Sequence, residues 1–585
     1  MLFNTLAYAK FFAVVFVVCW VLVQRRWAAL LPWLGVFLYA SSHAPTPERL
    51  GLAALSLLFS AALCVPKRDQ PPPPVIAALS VSLNLSALAF MSYRDHHVDP
   101  LGYGLRAFGV PIGESLTSTL PSLAVSLIGG YALLRAHKLR LLFLLGASYV
   151  FYAHWDWRFL PLIWGSSTAD WLLGNAIGRA SDPRRRKLWL AGTVVINLGV
   201  LAIFKYLDFG IGAAQSALAA LGVETPAIAL RVALPVGISF FTFESMSYVI
   251  DVYRRQIEPQ KSYLEYLSFV AFFPHLVAGP IVRPRDLLPQ LAGAPRWNSS
   301  DGSEAMFLIS LGLLKKVAIG DYLALNLVDR IFDAPLQFSA LECYVGVIGY
   351  ALQIYCDFSG YTDIAIGSAL LLGVRFPLNF DAPYKARDIA DFWRRWHISL
   401  STWLRDYLYI PLGGNRKGSA RTYANLLITM LLGGLWHGAN WTFVAWGALH
   451  GTALAATRAF QNWREARGIP RSRSPLVHVI CVFLTFHLVC TAWIFFRAES
   501  FSKAWTIFGR LGSLTAYHPN LDARVVAVLA VGLLAHFAPE RFYQGFREAY
   551  VRLPAPAQGL ALFFAAVGLR QMASAEAVPF VYFQF

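Results

Sequence analysis

Apolar runs of membrane length recur from the first residues of the chain almost to the last, separated by short polar segments. A helix crosses the hydrocarbon core with about 20 mostly apolar residues. Runs near 6–23, 28–42, 50–66, 75–92, 121–135, 140–153, 159–178 and 188–206 meet or approach that length. Beyond Phe204 the pattern is less regular, with candidates near 230–250, 304–320, 340–373, 425–449, 475–495, 523–537 and 557–570. The reading is an all-α, polytopic transmembrane protein of about 11–16 helices.

One segment breaks this pattern. From Asn379 to Arg421, charged residues fall among Trp, Tyr and Leu, a mixture that cannot cross bare lipid. Within it Ile389, Phe392, Trp393 and Trp396 recur at i, i+3, i+4 and i+7, with His397 and Leu400 continuing the stripe, so one helix at the interface or in a protein-lined cavity is expected over residues 389–400. Pro411, Gly413, Gly414 and Asn415 then predict a turn that ends it.

Composition agrees with lipid as the solvent. Of 585 residues, 57% are hydrophobic and 14% charged, against roughly 25% charged in soluble domains. The first run lacks the basic start and small-residue cleavage site of a signal peptide and is read as a retained span. A formal charge of +17 does not point to nucleic acid, because the basic residues sit in short clusters between apolar runs. Arg25 and Arg26, Lys67 and Arg68, residues 135–140 and residues 184–187 fall an even number of crossings apart, which places these loops in the cytoplasm and the amino terminus outside. The stretch Pro71, Pro72, Pro73, Pro74 reads as a loop. Six cysteines (Cys19, Cys64, Cys343, Cys356, Cys481 and Cys490) show no paired spacing, and neither a disulfide framework nor a metal site is expected.

The strongest chemical signal lies in residues 426–449, a membrane-length run whose single ionisable residue is His437, near its middle. Ionisable groups at that depth usually face a cavity or bundle interior and mark a functional site. Gly433, Gly434 and Gly438 permit close approach of another helix or a substrate chain. Asn440 lies one turn on, and Trp436 and Trp441 flank the pair as expected aromatic walls. A neutral imidazole can take a proton from an attacking hydroxyl, which suits acyl transfer to an alcohol. There is no G-x-S-x-G elbow, H-E-x-x-H motif or P-loop to support a competing chemistry.

The stretch from Asp391 through Arg-Trp-His397 to Pro-Leu-Gly-Gly-Asn415, followed forty positions after His397 by Trp436-His437-Gly438, resembles the membrane-bound O-acyltransferase family. Within it the resemblance is to the alginate O-acetyltransferase branch and, more distantly, to the D-alanyl transfer protein of teichoic acid modification. Leu234-Pro-Val-Gly, Phe272-Phe-Pro-His275, Asp357-Phe-Ser-Gly-Tyr-Thr-Asp and the closing Tyr-Phe-Gln-Phe agree in order. The resemblance implies residues 121–585 as an acyltransferase core, with 379–421 as its re-entrant or interfacial segment and 1–120 as additional spans. It also implies a ring of helices around a tunnel, with the motif histidines His437 and His397 inside. His437 is then the expected general base, supported by Trp436 and Asn440, while His397 orients the donor or stabilises an oxyanion.

The implied substrates are a cytoplasmic acyl donor, acetyl coenzyme A, and an exported polysaccharide or a periplasmic relay protein, at the bacterial inner membrane among its lipids. Arg394 and Arg395, with Arg405 and Lys385, fit either a phosphate-bearing donor or plain solvated charges. His275 reads as a core histidine. D-alanyl, lipid or protein O-acylation and, in another class, a transporter remain the alternatives.

Overall fold

The structure, a computed structural model, describes residues 5–23, 136–226, 230, 232–293, 295, 298–572 and 578–581. The spans expected near 28–42, 50–66, 75–92 and 121–135, the proline run and Cys64 lie outside them. Among the described residues every regular element is helical.

Several helices begin and end close to where the apolar pattern does: Leu6–Val23, Leu160–Arg179, Ala340–Leu371, Pro475–Arg497 and Ala523–Phe537, while Ala136–Asp156 overruns the run expected over 140–153 at both ends. The local reasons are visible at their starts. Ser339 and Glu342 form a reciprocal capping box at the central helix Ala340–Leu371. Asp182 accepts from the Arg184 amide, with Pro183 at the first turn. Two helices, Pro183–Ala220 and Pro475–Arg497, are long and apolar enough to cross a membrane among the described residues, with a third if Ala523–Phe537 and Glu540–Arg552, bent by 93°, form one span. Other helices bury charged groups inside the bundle. Lys315 pairs with Asp363 at 2.7 Å, and Lys316 with Asp321 and Asp357 at 2.5 and 2.6 Å.

Four boundaries differ from the sequence reading. The run near 188–206 extends to a helix over Pro183–Ala220, with a π-helical turn at Ala202–Tyr206. The span expected from 230 starts only at Ile238, because Gly237 takes a φ of 75° and turns the chain. Arg140 is no loop residue; it is buried inside Ala136–Asp156 and donates to the Leu372 carbonyl at 2.7 Å. The expected span 425–449 is two helices, Ser419–His437 and Trp441–Ala466, folded into a hairpin at Gly438. They touch through glycines: a Cβ on Gly434 would stand 2.2 Å from the Phe443 carbonyl, and one on Gly447 2.3 Å from that of Met430.

The core is one cluster centred on Ala340–Leu371. Tyr8, Phe11, Val15 and Cys19 of the first helix are buried in it, and Tyr8 donates to Ser368 Oγ at 2.8 Å. Residues 578–581 return to the same helix. The Val581 amide donates to Asp357 Oδ2 at 2.7 Å, Lys316 donates to the Val578 carbonyl, and Phe580 packs buried against Phe358 and Tyr361.

Candidate active site

The 389–400 stripe does not form one helix. Helix Ile389–Arg395, capped by Asp388, stops at Trp396, and a second helix, Ile398–Leu404, begins after His397. His397 occupies the left-handed region with a φ of 42°, a conformation a non-glycine residue holds only when its surroundings fix it. Here the clamp is Asn379. The Ile398 amide donates to its carbonyl at 2.9 Å, and its Oδ1 accepts from the Ser399 amide at 3.1 Å, from Ser399 Oγ at 2.9 Å and from His397 Nδ1 at 3.2 Å. Because the Ser399 amide can only donate, Oδ1 is the acceptor, so His397 Nδ1 carries the proton and Nε2 is left as a lone-pair acceptor. Nε2 is buried and has no protein partner. Phe358 meets the ring edge-on at 4.7 Å.

His437 is the last residue of Ser419–His437, at the apex of the hairpin rather than mid-helix, and is 4% exposed. Its ring sits among Trp436, Trp446 and Phe496, at centroid distances of 5.0, 5.0 and 5.2 Å. Trp436 also neighbours His397, at 6.1 Å, and its Nε1–H is buried without a partner. Both motif histidines therefore pack against one indole. Asn440 and Trp441 are not part of this chamber. Asn440 caps the return helix at the Thr442 amide and donates to the Glu499 carbonyl, while Trp441 is 54% exposed and packs on Phe209. The hairpin turn carries them away, and Trp446 and Phe496 take the place expected of Trp441.

Lys205 completes the chamber and was not foreseen. From the π-helical turn it donates to the carbonyls of Trp436 and His437, the latter at 3.3 Å, and to Ser239 Oγ at 3.3 Å, with its ammonium 5.8 Å from the Trp436 ring. Tyr206 donates to the Leu435 carbonyl at 2.9 Å. The orphan carbonyls at the end of the His437 helix are thus held by a cation, the charge a helix C-terminus favours. The signal was a lone ionisable residue inside an apolar run, the same signal that singled out His437.

Arg394 and Arg395 part company. Arg394 is exposed and lines a cleft of about 370 Å³ with Trp393, Leu404, Arg405, Met430 and Arg458. Arg395 instead ties Asp381 at 3.1 Å to Asp391 at 3.3 Å. His275 is buried, with Nδ1 2.8 Å from Glu244 Oε1.

The sequence profile described as "MBOAT, membrane-bound O-acyltransferase family" matches residues 235–501, which include both histidines, the clamp and the hairpin. The chain is 43% identical over 424 residues to the Probable alginate O-acetylase AlgI of Pseudomonas aeruginosa, covering 71% of this chain and 79% of that one. The chain belongs to the membrane-bound O-acyltransferase family. As a family member it is also 36% identical over 405 residues to the peptidoglycan O-acetyltransferase of Helicobacter pylori, covering 64% of this chain and 75% of that one. The teichoic acid D-alanyltransferase of Bacillus subtilis is 27% identical over 282 residues, covering 46% and 69%.

Proposed function

We propose that this membrane-bound O-acyltransferase takes acetyl groups from a cytoplasmic donor of the acetyl coenzyme A type and passes them across the bacterial inner membrane to an exported polysaccharide of the alginate kind. It works as a multi-pass protein, and delivery to the polymer passes through a periplasmic acceptor protein. The observation that carries this reading is the pair of buried histidines that both pack against Trp436. The kinship with alginate O-acetylases at 43% identity supports acetyl as the acyl group and a polysaccharide as its destination.

In this reading His437 is the general base for the attacking hydroxyl. A water-poor aromatic chamber favours a neutral imidazole, the form able to accept a proton. His397, with Nε2 as an acceptor, orients the hydroxyl or amide of a substrate. The oxyanion formed as the acyl carbon becomes tetrahedral needs a donor, and the unpartnered Nε1–H of Trp436 supports that role. The cleft beside Arg394, Arg405 and Arg458 supports a phosphate-bearing donor, with Trp393, Leu404 and Met430 as its apolar wall.

The test is acetate released by saponification from exported polysaccharide in cells carrying the wild type, His437→Ala or His397→Ala, at matched membrane levels. Loss of ester in both variants is expected. Unchanged ester in His437→Ala overturns the mechanism.

A further inference from the structure

A second cleft, of about 540 Å³, lies beside the first, and Arg405 lines both. Its walls carry Arg254, Arg283, Arg285 and Arg405 around Tyr407, with Asp406 as the one lining carboxylate. Arg283 is 7% exposed. Its guanidinium carbon stands over the Tyr407 ring at 4.4 Å, and that of Arg254 stands over the same ring at 5.3 Å. Tyr407 is itself held, donating to Asp251 at 2.8 Å.

Three carboxylates face these four arginines: Asp286 stands 3.9 Å from Arg285, Asp251 lies at the Tyr407 hydroxyl, and Asp406 is shared. Its carboxylate is taken up by Arg405 at 2.7 Å and Arg283 Nη2 at 3.3 Å, and its carbonyl accepts from Arg254 at 3.1 Å. Arg283 Nη1 remains buried with no hydrogen-bond partner. An unpartnered guanidinium nitrogen is an unfavourable thing to bury, and solvated surface arginines would not show it. The geometry points to a binding site for a phosphate group, whose several acceptor oxygens match a fork of guanidinium donors.

The position gives the site a use. Arg186, a member of the basic 184–187 cluster, donates to the Val252 and Tyr253 carbonyls, so the Arg254 end of Ile238–Tyr253 lies on the face that the positive-inside rule makes cytoplasmic. Trp403 stacks on Phe243 at 3.7 Å, which sets residues 397–407 alongside that helix. Ten residues at about 1.5 Å each separate His397 from Tyr407, so the histidine lies about 15 Å away along the helix axis. That is roughly half of a 30 Å hydrocarbon core.

A phosphate held at Arg283 therefore leaves a flexible arm of the donor free to reach the histidine chamber; this link to catalysis rests on the proposed function. The same phosphate chemistry is offered by the headgroup of an anionic phospholipid, the other source the site can draw on.

The test uses the purified full-length protein with Arg254→Gln and Arg285→Gln, which remove lining charges without disturbing the buried Arg283. Coenzyme A binding is measured by calorimetry in detergent. Retained phosphatidylglycerol is measured by native mass spectrometry after extraction from phosphatidylglycerol and phosphatidylcholine nanodiscs. Coenzyme A affinity about tenfold weaker in each variant, the usual effect of one charge-assisted contact, assigns the site to the donor. Unchanged coenzyme A binding with loss of retained phosphatidylglycerol assigns it to a headgroup. No change in either arm overturns the site. His437→Ala should bind coenzyme A like the wild type, so failure of the catalytic reading and failure of this site give different results.

Discussion

Replacing Lys205 by Met removes a cation from the end of the His437 helix while keeping most of its length and its apolar stem. Three contacts go with it, two to the carbonyls of Trp436 and His437 and one to Ser239. A hydrogen bond to a charged group contributes about 1.5–3 kcal/mol. The freed carbonyls regain only part of this, because Tyr206 already serves the neighbouring carbonyl of Leu435. We expect local destabilisation of about 2–3 kcal/mol, relieved by a shift of the helix end. A displacement of about 1 Å at reacting groups lowers rates about 100-fold.

The assay is acetyl transfer by purified protein, with kcat and KM for the donor measured separately and folding checked by melting temperature. Lys205 acts through His437, so kcat should fall about 100-fold with KM little changed, and Lys205→Arg should recover part of the loss. A Lys205→Met enzyme with wild-type kcat would falsify the argument, as would a loss of activity no larger than the loss of folded protein.

Asn379→Leu should lower acetyl transfer about 100-fold, because it releases the left-handed His397 and the Ser399 contacts; a pH–rate profile for the variant reports whether the remaining base has changed. Gly434→Ala places a Cβ 2.2 Å from the Phe443 carbonyl, and overpacking of about 1–3 kcal/mol should appear as a lower melting temperature in detergent. Lys316→Met leaves Asp321 and Asp357 buried without their shared cation; a loss of about 3–5 kcal/mol should deplete the membrane-inserted protein on an immunoblot. Arg395→Ala removes partly exposed ion pairs worth about 0–1 kcal/mol and should leave donor KM unchanged, whereas Arg394→Ala should raise it.

Much of the helical frame was legible because its long helices are continuously apolar, as Leu6–Val23 and Pro475–Arg497 are, with ends within a residue or two of the expected ones. The two histidines were legible as motif residues, and His437 also as a lone ionisable group at depth. The break after His437 was not, since three residues of small or polar type hardly lower the mean hydropathy of a long run. Asn440, read as a companion of the imidazole, was in fact the N-cap that starts the return helix. The Asn379 clamp joins residues eighteen positions apart through a loop, and no helical or strand period encodes such a pairing. Arg394 and Arg395 are adjacent and chemically identical, and only the position of Asp381 separates a cleft residue from a structural one.

Residues 578–581 follow every described helix that builds the chamber, yet Phe580 packs against Phe358, which also meets His397. During synthesis all those helices leave the ribosome, and can enter the membrane, before the wall behind the histidine is closed. A nascent chain stalled after Met572 would therefore carry the hairpin and both imidazoles with that wall still open.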